Sequence, residues 1–491
     1  MGLLSRAAVL ALALMATASP TAGQVPPGQP GDGGDFTWTV PDRLILGRGD
    51  VPIYQNDAKQ VPGGPWRVDF VVEPSQCARD ARYRWAVDGE EPVELAGSCR
   101  YVHFFEREGS YRVRLEITAA GETRSSETDV RVEDWLIVSL GDSVASGEGN
   151  PDGRRFTKRR WQNRSCHRTS LAAPAQAALA LERADTTTSV TFVHLACSGA
   201  SIEKGLLGRW KGIDGGPREG HPPQLDELKR VHAGRSVDAV LLSIGANDVH
   251  FGPAAMFCME FHGCARHRFD PDHPLRLPGG AKTFPTLSDT LVRKFAGLPR
   301  LYELTAASLG KELSERTYIV EYFDPTHRDA DRFCRIVTIT QGDAEFAYKR
   351  LLRPLNDVVA QAAKDHGWTL VRGPEAEFRE HGYCVKGRKG WIVTFKRSLI
   401  ELGGSRPKAA TAGTLHPNVR GHDATTPHIY AALANDLGAL GDEDDDGPDG
   451  DDDPEPEAAI GLGAGGLVTG VAFGVGWWRR RRAREPAARD V

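Results

Sequence analysis

From residue 135 onward the chain alternates short, nearly unbroken apolar runs with longer helical stretches. The runs are WLIVSL (135–140), SVTFVHLA (189–196), VDAVLLSI (237–244), RTYIVEYF (316–323) and WTLVRG (368–373). Between them lie SLAAPAQAALALE (170–182), QLDELKRVH (224–232), a helical stretch over 284–314 and DAEFAYKRLLRPLNDVVAQAAKD (343–365). Strands that are apolar on both faces must be covered on both faces, and helical crossovers between parallel strands supply that cover. The pattern therefore predicts an α/β domain over 134–440 built on a parallel five-stranded sheet. Such sheets bind ligands beyond the carboxyl ends of their strands, so the residues just after each run are the place to seek chemistry.

Residues 36–133 carry a different period. In YRVRLEI (111–117), Tyr111, Val113, Leu115 and Ile117 share one face while Arg112, Arg114 and Glu116 share the other. WRVDFVV (66–72) and YRWAV (83–87) are further strands of this kind, and a small all-β sandwich is expected.

The two ends read as addresses. MGLLSR, AAVLALALM and ATASPTAGQ form a charged start, an apolar core and a small-residue tail, which predicts a signal peptide over 1–23 and an exported chain. A Pro/Gly linker spans 24–35. At the other end an acidic linker (441–457) leads into 21 uncharged residues, AAIGLGAGGLVTGVAFGVGWW (458–478), and a basic tail (479–491). That run predicts a single transmembrane helix with Trp477 and Trp478 at the interface and the arginines in the cytoplasm. The expectation is a single-pass protein of the cell membrane whose α/β domain lies outside. Asp442, Asp444, Asp446, Gly447 and Asp453 stand at the spacing of a calcium loop, but Pro448 and the surrounding acid run favour a self-repelling linker. GLGAGG (461–466) has the letters of a dinucleotide fingerprint without a preceding strand, and is set aside. With 61 basic against 66 acidic residues, no global field points to nucleic acid.

Eight cysteines in an exported chain imply disulfides, although eight allow 105 pairings. The reading adopted is pairing between sequence neighbours: Cys77–Cys99, Cys166–Cys197, Cys258–Cys264 and Cys334–Cys384. No CxxC occurs, so zinc and thioredoxin-type chemistry lack support.

The strand ends carry the chemistry. Gly141-Asp142-Ser143 comes after the first run, Cys197-Ser198-Gly199-Ala200 after the second and Gly245-Ala246-Asn247-Asp248 after the third; Thr414-Leu415-His416-Pro417-Asn418 comes late. Acyl transfer needs a nucleophile, a base and donors aimed at an oxyanion, and these residue types can supply all three. Ser143 leaves a buried strand at a turn, Gly199 offers a backbone N–H, Asn247 a side-chain N–H, and His416 a base. Asp142 and Asp248 are read as residues that orient the loops. Ser146 and Ser198 are second choices as nucleophile, and His422 is expected to pack or cap in the last helix.

In this order the four motifs resemble the GDSL (SGNH) hydrolase family across roughly 134–440. The resemblance implies a flavodoxin-like α/β/α domain and a serine ester hydrolase that needs neither metal nor cofactor. Position by position it makes Ser143 the nucleophile, Ser143, Gly199 and Asn247 the oxyanion hole, and His416 the base. One position departs from the pattern. Many members place an Asp three residues before the His, where this chain has Gly413. Either a backbone carbonyl near Gly413 orients the imidazole, or an acid arrives from elsewhere, with Glu148, Asp324 and Asp423 as candidates. Secreted actinobacterial-type esterases and lipases of the family include members that use such a carbonyl. They share the ACSGA and HPN variants, and their three-disulfide layout supports the pairings 166–197, 258–264 and 334–384. The stretch YRWAVDGE…YVHFFEREGSYRVRLEIT (83–118) resembles a PKD-type immunoglobulin-like module, which implies a spacer or a binder of a cell-surface ligand. Substrates consistent with these readings are small-molecule or lipid esters, or O-acetyl groups on a cell-envelope polysaccharide. The competing reading is a surface binding protein with an inactive hydrolase domain.

Overall fold

Alternation and burial together build the first part of the structure, a computed structural model that describes residues 30–43, 45–46, 52–53, 64–153, 161–279, 283–402 and 407–438. Among the described residues before 133 the strands are β1 (Gly31–Asp32), β2 (Phe36–Thr39), β3 (Ile45–Leu46), β4 (Pro52–Ile53), β5 (Trp66–Val72), β6 (Arg82–Val87), β7 (Val93–Ala96), β8 (Arg100–Phe105), β9 (Gly109–Ala119) and β10 (Glu122–Val132). They form one antiparallel sheet in the order β1-β2-β5-β8, another in the order β10-β9-β6-β7, and the short pair β3-β4. Val113, Leu115 and Ile117 of β9 turn inward, as their period requires, and join Phe36, Phe70, Tyr83 and Trp85 in one apolar core. Trp85 packs against Phe36 and Phe70 at ring distances of 5.1 and 5.5 Å. These all-β sheets are consistent with the expected N-terminal β-module. The described part of the 24–35 linker includes β1, an edge strand against β2.

Five parallel strands come next: β11 (Asp134–Gly141), β12 (Ser189–His194), β13 (Ala239–Ser243), β14 (Thr317–Val320) and, after the small pair β15 (His327–Asp329) and β16 (Arg332–Phe333), β17 (Thr369–Val371). Their order is β12-β11-β13-β14-β17, so the first strand lies inside and the chain winds outward from it in both directions. Every residue of β11 is buried, and its side chains alternate between two cores. Leu136, Val138 and Leu140 join a core that includes residues of α3 (Gln224–Gly234), α5 (Leu287–Glu315) and α7 (Arg353–His366). Trp135 and Ile137 face the other core, with α2 (Ala173–Ala184) and the C-terminal helix Val419–Leu437. The near-continuous apolar runs are thus strands covered on both faces.

Two helical segments differ in detail from the sequence reading. The stretch 343–365 is interrupted: α6 (Gln341–Ala347) passes through a five-residue π-turn, Tyr348–Leu352, before α7. Pro354 stands at the start of α7, where it has no N–H to give to a preceding carbonyl and the ladder changes register. Phe251–Glu260, outside the helical stretches read from the sequence, form helix α4, closed off by the Cys258–Cys264 disulfide. The other bridges are Cys77–Cys99, Cys166–Cys197 and Cys334–Cys384, and no described cysteine is free.

The expected transmembrane helix, and with it the placement in the cell membrane, is corrected. No helix among the described residues is long and apolar enough to cross a membrane. Residues 458–478 lie outside the described residues, as do 1–23, 441–457 and 479–491. The physical weakness of that run is its composition: seven of its 21 residues are glycine, which adds no apolar side chain and costs about 1 kcal/mol per position in a helix.

Candidate active site

The carboxyl end of β11 runs into a turn whose geometry is set by close packing. Gly141 has φ 131°, and a Cβ there would lie 2.0 Å from the Ser243 carbonyl oxygen, so no larger residue fits. Its N–H and C=O are both held by the Gln224 side chain, at 2.7 and 2.9 Å. Asp142 then caps the one-turn helix α1 (Ser143–Ser146), accepting from the Val144 N–H at 2.9 Å, and this turn presents Ser143. Ser143 is 9% exposed, so little of it meets solvent.

His416 reaches the same point from a loop 273 residues away in sequence. Its Nε2 lies 2.6 Å from Ser143 Oγ, and its Nδ1 lies 3.1 Å from the Thr414 carbonyl oxygen. A carbonyl only accepts, so the Nδ1 facing it carries the proton and Nε2 is left as the acceptor for the Ser143 hydroxyl. The loop is pinned on both sides of the ring. Leu415 N–H donates to the Val393 carbonyl and Val393 N–H to the His416 carbonyl, at 3.0 and 2.8 Å, and Leu415 is held at φ 68°. Asn418 caps the C-terminal helix through Arg420 N–H and ties back to Gly390 and Trp391. Burial holds the His416 pKa below the ordinary imidazole value of 6.5, against the pull of Glu148 and of the loop carbonyls.

The two further loops are joined to this turn. Cys197 N–H donates to the Gly141 carbonyl at 3.0 Å, and the Cys166–Cys197 bridge holds the same segment from behind. Gly199, two residues on, has φ 78°; a Cβ there would lie 3.0 Å from the Trp210 ring. Asn247 donates one side-chain N–H to the Ala200 carbonyl at 2.8 Å, which fixes its amide beside the Gly199 turn. Asp248 accepts the Ile202 N–H on both oxygens, at 3.0 and 3.1 Å, and burial pushes its pKa up to about 6. Asp142 accepts a second hydrogen bond from the Tyr322 hydroxyl at 2.7 Å, and Tyr322 in turn accepts from the Ala246 N–H. Burial pushes the Asp142 carboxyl up to about 7.

The alternatives raised from the sequence lie elsewhere in the network. Ser146 donates to the Ser143 carbonyl, and Ser198 donates to Glu148. Asp324 is engaged by Thr326 and by His327 Nδ1, the latter at 2.5 Å. Glu148 is buried and pairs with His167, and His422 is buried in the C-terminal helix with Nδ1 3.4 Å from Ala173 N. Asp423 stands on the same helix one residue further on. Gly413 accepts the His416 N–H at 3.1 Å, while the carbonyl facing the ring belongs to Thr414. Thr414, Tyr322 and Gln224 were not singled out from the sequence. Tyr322, at the end of the fourth apolar run, was the one with a signal, because a polar tip at a parallel strand's carboxyl end falls on the rim.

A parallel α/β sheet thus brings a serine and a histidine into contact, with two further loops tied to the serine's turn. The chain matches the GDSL-like lipase/acylhydrolase family over residues 139–424 and belongs to it, and it is a carboxylic ester hydrolase. No curated protein matches the chain. Similar solved structures include an extracellular lipase from Streptomyces rimosus, at 18% identity and TM-score 0.39, covering 61% of this chain and 99% of the lipase. A phospholipase A1 from Streptomyces albidoflavus NA297 is 19% identical with TM-score 0.38, covering 62% of this chain and 98% of that one. A carbohydrate acetylesterase from Xanthomonas citri is 11% identical with TM-score 0.27, covering 80% and 76%.

Proposed function

We propose that the chain hydrolyses carboxylic esters through an acyl-enzyme on Ser143, with His416 as base and the Thr414 carbonyl in the place of a triad acid. The observation that carries this reading is the contact of 2.6 Å between His416 Nε2 and Ser143 Oγ, with Nδ1 on a carbonyl. Ser143 Oγ attacks the ester carbonyl carbon and its proton passes to Nε2. The carbonyl π pair moves onto oxygen, where the N–H groups of Ser143 and Gly199 and the Asn247 amide are the donors. Collapse expels the alkoxide, which takes the proton from Nε2. Water then repeats the sequence on the acyl-enzyme, releasing the acid and restoring Ser143. The Thr414 carbonyl fixes the tautomer but adds no full charge, so the imidazolium gains less from it than from a carboxylate.

The test is hydrolysis of p-nitrophenyl acetate by the protein and by Ser143→Ala, with labelling of Ser143 by an organophosphonate. Loss of about 10⁴-fold or more in kcat with intact folding is expected of the variant. Equal activity in both proteins, without labelling, overturns the reading. A chain-length series of p-nitrophenyl esters separates long-chain lipid esters from acetyl esters as the substrate class.

A further inference from the structure

Glu148 has the placement of a functional residue but no part in the chemistry just described. Its backbone N–H donates to the Ser143 carbonyl at 2.9 Å. Its carboxylate, on a side chain only 1% exposed, accepts from the Ser198 hydroxyl and from His167 Nδ1, each at 2.8 Å. Ser198 is the residue before Gly199. The next residue after Glu148, Gly149, is packed so closely on the base that a Cβ there would lie 3.3 Å from the His416 Cβ. One residue therefore touches the nucleophile's turn and the oxyanion turn, and its neighbour touches the loop of the base.

A buried carboxylate is costly unless it is paired. Here the partner is His167, itself buried, held at φ 47°, stacked on Trp161 at 4.3 Å and 3.9 Å from Asp214, which Arg164 in turn engages at 3.0 Å. The charged and titratable groups facing Glu148 are thus His167 on the 161–169 segment, His416 on its loop and His422 of the C-terminal helix, whose ring approaches the Glu148 carbonyl at 3.4 Å. The Glu148 charge favours the protonated form of His416, and the close approach of Gly149 to His416 keeps the two segments together.

We propose that Glu148, held by His167, is a positioning residue: it fixes the Gly199 turn through Ser198 and supplies the negative charge that His416, lacking an acid of its own, faces when it becomes an imidazolium. The proposal rests on the Ser143–His416 reading. Glu148→Gln keeps an acceptor for Ser198 and removes the charge, and Glu148→Asp keeps the charge. With p-nitrophenyl acetate, Glu148→Gln should lower kcat about 10- to 100-fold at unchanged KM. That is less than the ~10⁴ lost when an acid in direct contact with the base is neutralised. The acid limb of kcat/KM should move to lower pH, because the imidazolium loses a stabilising anion. Glu148→Asp should restore the limb. A folded Glu148→Gln with wild-type kcat and an unmoved limb overturns the proposal. If Glu148→Gln does not fold, Ser198→Ala decides: kcat reduced at constant KM supports the link to the Gly199 turn, and unaltered kinetics overturn it. Ser143→Ala and organophosphonate labelling run alongside, so a failure of the serine reading shows there and not in the Glu148 variants.

Discussion

At the scale of single residues, the site turns on what surrounds one imidazole. His416 has a hydroxyl on one nitrogen and a carbonyl on the other, and burial with no directly bonded acid leaves its pKa below 6.5. In its proposed role as base His416 must be neutral, so activity is expected above this pKa and lost as pH falls through it. The acid limb of kcat/KM is therefore expected below the ordinary imidazole range, with unit slope, when ester hydrolysis is measured across acid pH. A limb above 6.5 would mean that an acid contacts the ring, and would remove the Thr414 carbonyl from its role. The carbonyl was open to the sequence only as one of two alternatives. A backbone oxygen has no residue-type signature, and Gly413 marked only where the usual carboxylate was missing. Ser143, Gly199, Asn247 and His416, the residues proposed for the chemistry, could be picked out because each role calls for a particular side chain, or the lack of one, at a strand end or a late loop. Glu148 was weighed only as a substitute acid. Its link to Ser198 and His167 joins three loops that no spacing relates.

At the scale of elements, short loops are aimed by cross-links. Cys166–Cys197 closes 31 residues and lands two positions before Gly199, while Ser198 N–H donates to the Cys166 carbonyl at 2.9 Å. Replacing both cysteines with alanine should cost about 3–4 kcal/mol of stability from the freed loop. It should also lower kcat more than it raises KM, because the proposed role of the Gly199 N–H is to meet the oxyanion of the transition state. Denaturant unfolding and ester kinetics on the same variant separate the two effects; a stability loss with unaltered kcat would make the bridge purely structural. The same scale shows what periodicity conveyed and what it did not. The strands and their covering helices were legible because burial on both faces leaves few polar positions. The π-turn after α6 was not, because Pro354 signals a disruption without saying whether the helix ends or shifts register. Apolar length alone misled at 458–478, where glycine content offsets the lack of charge.

For the whole molecule, the joint between the β-sheets and the parallel sheet is the feature with consequences. Asp134, the first residue of β11, is fully buried, and its carboxylate is met by Ser189 Oγ at 2.8 Å, Thr191 Oγ1 at 2.7 Å and the Arg235 guanidinium. Arg235 also reaches Glu108, on the turn between β8 and β9, at 3.3 Å, and Glu108 accepts the Asp134 N–H at 2.9 Å. Arg43 lies 3.6 Å from the same aspartate, and the two guanidinium groups stand 5.6 and 5.9 Å from the Trp66 ring, within cation–π range. The β-module is therefore held by a charged cluster as well as by the chain, which a free spacer would not require. Arg235 supplies the closest cation to a fully buried carboxylate, and removing one partner of such a pair leaves a buried charge uncompensated. Arg235→Ala is expected to cost about 3–5 kcal/mol, with the β-sheets melting apart from the hydrolase sheet in calorimetry. Arg235→Lys should recover part of the loss, because an ammonium restores charge without the planar fork that meets Asp134 and Glu108 together. Ester hydrolysis below the first transition should stay near the wild-type rate, since the cluster lies at the amino end of β11 and Ser143 stands just past its carboxyl end. An unchanged melting profile for Arg235→Ala would show that the cluster contributes nothing to holding the two parts together.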